Sequence, residues 1–250
     1  MPALRELVVI HMHSASAADL PVWISTVWPC TNVEKLKIII EDAPSSALQA
    51  IVTHVLCLSA ATLKRISWES LTTGGPIQDF VPRYEHIATL ERLELLYAPH
   101  EVGPRLSLSQ ISEKLFDTLS QCTGTPRLEH LLIHYPLSAD YASLLTYLQH
   151  IESSHHVERQ EQCPGLVAEF HNLLMREAFT QLPVGSWALI VSLDESQGAG
   201  DAPTLITLIM NILFAPWLNS GVMIPLVFGS SPFSGEEGLP YVELVLLTSR

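Results

Sequence analysis

Histidine is where metal or acid–base chemistry would first be sought in this chain, which holds eleven of them in 250 residues. His11 and His13 stand two apart, the spacing that turns both rings to one face of a strand, and His130 and His134 share a face in the same way. His155-His156 lies between Glu152 and Glu158. Imidazole beside carboxylate is zinc-ligand chemistry, but a site needs a set of three or four donors. No third donor stands at a characteristic spacing and H-E-x-x-H is absent, so surface histidines and no metal are expected. The cysteines Cys30, Cys57, Cys122 and Cys163 form no C-x-x-C pair. Scattered beside apolar runs, they suit buried free thiols in a reducing compartment.

Asp194-Glu195 follows the apolar run 187–193, where α/β enzymes often set a catalytic carboxylate. No nucleophile-and-base pair accompanies it, and G-x-S-x-G, G-x-G-x-x-G and the P-loop pattern are missing. The sequence therefore predicts no enzyme and no cofactor. The alternative is an enzyme or small-ligand-binding protein with its site in the C-terminal α/β half, which a pocket near Asp194 and Trp187 would mark.

The elements that could position a working surface come from repetition. Leu4-Arg-Glu-Leu7-Val-Val9 returns as Val33-Glu-Lys-Leu36-Lys-Ile38, Leu63-Lys-Arg-Ile66-Ser-Trp68, Leu90-Glu-Arg-Leu93-Glu-Leu95 and Leu128-Glu-His-Leu131-Leu-Ile133. The starts are 29, 30, 27 and 38 residues apart, the kind of period that stacks one strand–helix unit on the next. Apolar residues at helical spacing predict helices over 16–28, 44–58, 77–88 (with Pro82 inside), 108–119 and 139–151. A sixth strand falls due near residue 157, but His155-His-Val-Glu-Arg-Gln makes a poor one. Beyond it the pattern predicts a helix over 166–182, a strand over 187–193, a helix over 204–214, and a strand pair at 222–228 and 241–247. The expected organisation is an array of about five units over 1–152, followed over 153–250 by degenerate repeats or an α/β cap.

The L-x-x-L-x-L pattern resembles the leucine-rich repeat. Its uneven loops are similar to those in the substrate-binding half of fungal F-box proteins, over residues 4–135. The resemblance implies an α/β solenoid, with parallel strands on a concave face and helices on a convex one. It also implies a non-catalytic role in substrate recognition by a ubiquitin ligase. The family's F-box bundle is not in this sequence, where Met1 lies three residues before Leu4, so an N-terminal domain lost, never present or truncated is expected. The family's usual Asn or Cys after the strand is replaced by Met12, Glu41, Leu71, Ala98 and Pro136.

In that motif the residues between the leucines point outward. One predicted row runs Glu6, Lys35, Arg65, Arg92, His130; behind it lie Lys37, Glu69, Glu94 and His134. Lys35, Lys37, Arg65, Glu69, Arg92, Glu94, His130 and His134 are the candidate partner-binding residues, suited to an acidic or phosphorylated protein segment. The plainer reading is that exposed positions are polar by default, with Glu69 and Glu94 neutralising the bases.

Composition narrows the partners. The net charge of -13 argues against nucleic acid, whose phosphates need clustered cations. Residues 136–250 carry 12 acids against 3 bases, so the C-terminal half is expected to face solvent or a basic partner. Residues 202–235 carry no charge, and Leu205 to Phe228 is long enough to cross a bilayer. Pro216, Pro225, Asn211 and Asn219 interrupt it without flanking cations, so a buried helix, a turn and a strand are expected instead of a membrane span. Arg5 and Glu6 break any signal peptide, and an intracellular protein, cytoplasmic or nuclear, is expected.

Overall fold

A computed structural model describes residues 5–11, 32–40, 46–70, 86–97, 105–138, 141–157, 165–179, 182–192 and 201–228. The elements in order are β1 (Glu6–His11), β2 (Lys35–Ile40), α1 (Ser46–Ser59), β3 (Arg65–Ser70), β4 (Arg92–Tyr97), α2 (Leu108–Cys122) and β5 (His130–Pro136). Then come α3 (Tyr141–Val157), α4 (Leu166–Leu174), a 3-10 turn (Glu177–Phe179), β6 (Trp187–Ser192), α5 (Ala202–Leu213), α6 (Ala215–Asn219) and β7 (Met223–Phe228). The fold is α/β. All seven strands form one sheet in chain order, and every neighbouring pair is parallel.

The register follows from the spacing of apolar residues. Leu36, Ile66 and Leu93 lie side by side on neighbouring strands and are buried, as are Ile38, Trp68 and Leu95 two residues on. The first apolar residue of each motif, Val33, Leu63, Leu90 or Leu128, is buried too. A slip of one residue would turn these side chains outward, so burial fixes the register. They share one core with Val52 and Val55 of α1, Ile111 and Leu115 of α2, and Ile206 and Ile209 of α5. α2 begins at a capping box: Gln110 N donates to Ser107 Oγ at 3.3 Å, and Ser107 N donates to Gln110 Oε1 at 2.9 Å.

Threonine hydroxyls tie neighbouring strand units together. Thr62 and Thr89 precede the leucines that begin the third and fourth motifs. Thr62 Oγ1 donates to Val33 O at 3.0 Å, and Thr89 Oγ1 donates to Leu63 O at 2.8 Å. Each carbonyl belongs to the corresponding core residue one unit earlier. At the far end of the strands Tyr97 and Tyr135 stack, with ring centroids 4.9 Å apart.

Beyond β5 the spacing changes. α3 runs on to Val157, so helix occupies the place where one more period would have put a strand. A second helix, α4, follows before β6, which then pairs directly with β5. The expected helix over 166–182 ends at Leu174 and gives way to the 3-10 turn. A chain of ring contacts binds this region together, running Phe116–Phe170–Phe214–Trp187–Trp217–Phe179 with centroids 4.4 to 5.5 Å apart. Trp217 Nε1 donates to Leu174 O at 2.9 Å.

The uncharged stretch folds as α5, α6 and β7, with a short helix where a turn at 216–221 was expected. Among the described residues no helix is long and apolar enough to cross a membrane. The expected helix at 16–28, most of that at 77–88 and the strand at 241–247 lie outside the described residues.

Candidate interaction face

Strands β2, β3 and β4 share one alternation, in which the second, fourth and sixth residues are buried while the first, third and fifth keep contact with solvent. With helices packed into the core on the buried side, the other side of the sheet is the surface these strands present. The parallel register sets Glu6 beside Lys35, Lys35 beside Arg65, Arg65 beside Arg92, and Arg92 beside His130. The row read from the motifs is thus a physical row across five strands, with neighbours about 4.8 Å apart.

On this face carboxylates answer three of the four Lys and Arg side chains, Lys35, Lys37 and Arg92. Lys35 Nζ lies 3.5 Å from Glu6 Oε2 across the β1–β2 pair, and Lys37 Nζ lies 3.2 Å from Glu69 Oε2. Arg92 engages Glu94 Oε1 through Nη2 at 2.6 Å and Nε at 2.7 Å. Exposed pairs of this kind contribute about 0–1 kcal/mol each, so they shape the local charge more than they hold the fold. Arg65 differs. It is exposed, and among the described residues it makes no ion pair and no side-chain hydrogen bond. Glu69 and Glu94 neutralise Lys37 and Arg92, as the plainer reading expects, and the middle guanidinium of the row is left over.

The two histidines part company. His130 is exposed at the end of the row. His134, expected as an outward contact, is 0% exposed and cannot touch a partner as the protein stands. Its row changes character along the sheet: Ile39, Glu69 and Leu96 are half-buried, whereas His134 and the adjoining Ile190 are buried. Burial disfavours the charged imidazole and lowers the His134 pKa from 6.5 to about 4.

Two shallow depressions lie on the face. The larger, about 370 Å³, is lined by Lys35, Lys37, Arg65, Ser67, Arg92 and both flanking glutamates, Glu6 and Glu94. The smaller, about 160 Å³, shares Arg92 and Glu94 and adds His130, Leu132, Ser186 and Ala188. Ser186 and Ala188 were not expected here. Only the pairing of β6 with β5 brings them alongside, and the motif spacing breaks between those strands.

The C-terminal alternative finds Trp187 fully buried between Phe214 and Trp217. Asp194 lies outside the described residues. Among those residues no three His, Cys, Asp or Glu side chains are grouped to hold a metal. Cys122 is a buried free thiol, but Cys57 is exposed. The buried stripe of α1 is Val52, Val55, Leu56 and Ser59, and Cys57 falls on its outer side. No protein-family model, no curated protein and no solved structure matches this chain.

Proposed function

We propose that this chain is a non-catalytic protein–protein interaction module, a curved solenoid of leucine-rich-repeat type. It would work as the substrate-recognition part of an F-box protein of a ubiquitin ligase works, inside the cell. The observation that carries the reading is the in-register row Lys35, Arg65, Arg92 on the solvent side of a sheet whose strands stand in chain order. Side chains spaced by the strands of a rigid sheet form a surface that needs little ordering on binding, which favours recognition of an extended partner. Cations concentrated there, in a chain of net charge -13, select an acidic segment of the partner.

The test is affinity capture from a fungal lysate with wild type and with Lys35→Glu/Arg65→Glu/Arg92→Glu, the circular dichroism of both being matched first. Partners held by wild type and lost by the triple variant, with an acidic segment at their contact site, are the expected result. Recovery of a cullin adaptor by both baits would place the chain in a ubiquitin ligase even without an F-box bundle in this sequence. Identical partner sets from the two baits would remove this face from the function.

A further inference from the structure

The two depressions differ in chemistry, and together they specify a more particular ligand than an acidic segment. The larger is organised around Arg65, whose neighbours Lys35 and Arg92 are already engaged by Glu6 and Glu94. Lys37 in the same lining is engaged by Glu69, so four cations face three carboxylates, leaving one positive charge at the centre of the row. A phosphate brings about -1.5 to -2 charge and calls for several unneutralised cations around it. A carboxylate brings one charge and fits a single guanidinium bidentately. The Ser67 hydroxyl stands two residues along β3 on the same side and makes no hydrogen bond among the described residues, which leaves it a donor for the same ligand. The smaller depression, beyond the Arg92–Glu94 pair, has Leu132 and Ala188 in its lining and suits one apolar side chain.

Spacing links the two. Arg65 on β3 and Leu132 on β5 are two strands apart and, by the register, two residues apart along the strand direction. That is about 9.6 Å across and about 7 Å along, or about 12 Å in all, which an extended segment spans in three to four residues at about 3.3 Å each. The geometry points to a bipartite ligand: an extended peptide whose Asp or Glu carboxylate is clamped by Arg65 and whose apolar side chain, three or four residues away, enters the Leu132–Ala188 depression. The carboxylate supplies selectivity and the apolar anchor supplies the buried contact. This deepens the recognition role proposed above and rests on it.

The experiment is selection of a displayed random twelve-residue peptide library on the folded wild-type chain, counter-selected on Arg65→Glu. The enriched peptides are then synthesised with the key acid as Glu, Gln or phosphoserine. The expected result is enrichment of an acidic residue three or four positions from Leu, Ile, Val or Phe. Arg65→Ala should weaken binding of the Glu peptide at least tenfold, and so should Leu132→Asp, with circular dichroism unchanged in both. Glu should bind tighter than phosphoserine, and Gln should not bind measurably. Enrichment that depends on Arg65 but lacks the spaced apolar residue, or a phosphoserine peptide that binds as well as the Glu peptide, would overturn the bipartite carboxylate ligand while leaving recognition by this face intact. No peptide preferring wild type over Arg65→Glu would overturn both.

Discussion

Arg92 and Glu94 stand two residues apart on β4 and close on one another, while Arg65 beside them on β3 makes no ion pair among the described residues. Ser67 occupies the place on β3 that Glu94 holds on β4, and this one difference leaves a guanidinium available. Burial gives His134 a different part. Its folded pKa lies below that of an unfolded histidine, so between pH 6.5 and about 4 the unfolded chain binds the extra proton. Stability therefore falls as pH is lowered through that window. The loss traceable to His134 reaches about 3 kcal/mol once the pH is below about 4, at 1.36 kcal/mol per pKa unit. Urea titrations of wild type and His134→Gln from pH 7 to 4 should show the smaller pH slope in the variant. Parallel slopes would mean the ring is protonated as readily when folded. The presence of His134 on the outward side could be read from alternation along β5. Its burial could not, because what covers a strand's outer side depends on chain far from it.

At the scale of elements, the L-x-x-L-x-L spacing made β1 to β5 legible to within a residue or two, since each core position is set by alternation that a one-residue slip would reverse. Apolar spacing also placed the start of α2 at Leu108, where the structure shows a capping box of Ser107 and Gln110. What spacing concealed was the step between units. The hydroxyls of Thr62 and Thr89 each bridge to the carbonyl of the core residue one unit back. Thr89→Val keeps the shape and strands two carbonyl contacts, to Leu63 and Ala60, and should cost about 1 kcal/mol. Ser107→Ala should cost about the same through loss of the cap. Denaturant midpoints measure both; a change below about 0.3 kcal/mol in either would show water replacing that bond at no cost. Trp187→Ala removes the ring that packs on both Phe214 and Trp217, and a loss of about 3–5 kcal/mol is expected.

On the scale of the whole molecule, the sheet carries on from β5 into β6 although α3 and α4 intervene, and the Phe116–Phe170 contact joins α2 to α4. Periodicity stops near residue 157 because two helices lie between those strands, so the sequence left open whether repeats or a cap followed. A chain ending at Val157 should bind the dye ANS and lose its cooperative transition, since it bares the edge of β5 and the partners of Phe116. A sharp transition without ANS binding would show that residues 1–157 stand alone. Charge is also divided at this scale, with a few cations gathered on one side of an acidic protein. The claim that this side is where a partner docks is tested most directly by amine cross-linking of a captured partner, read by mass spectrometry. Links from Lys35 and Lys37 on the face should dominate over those from Lys114 on α2, and should fall away in Arg65→Ala. Cross-links centred on Lys114, or unchanged by Arg65→Ala, would contradict the account.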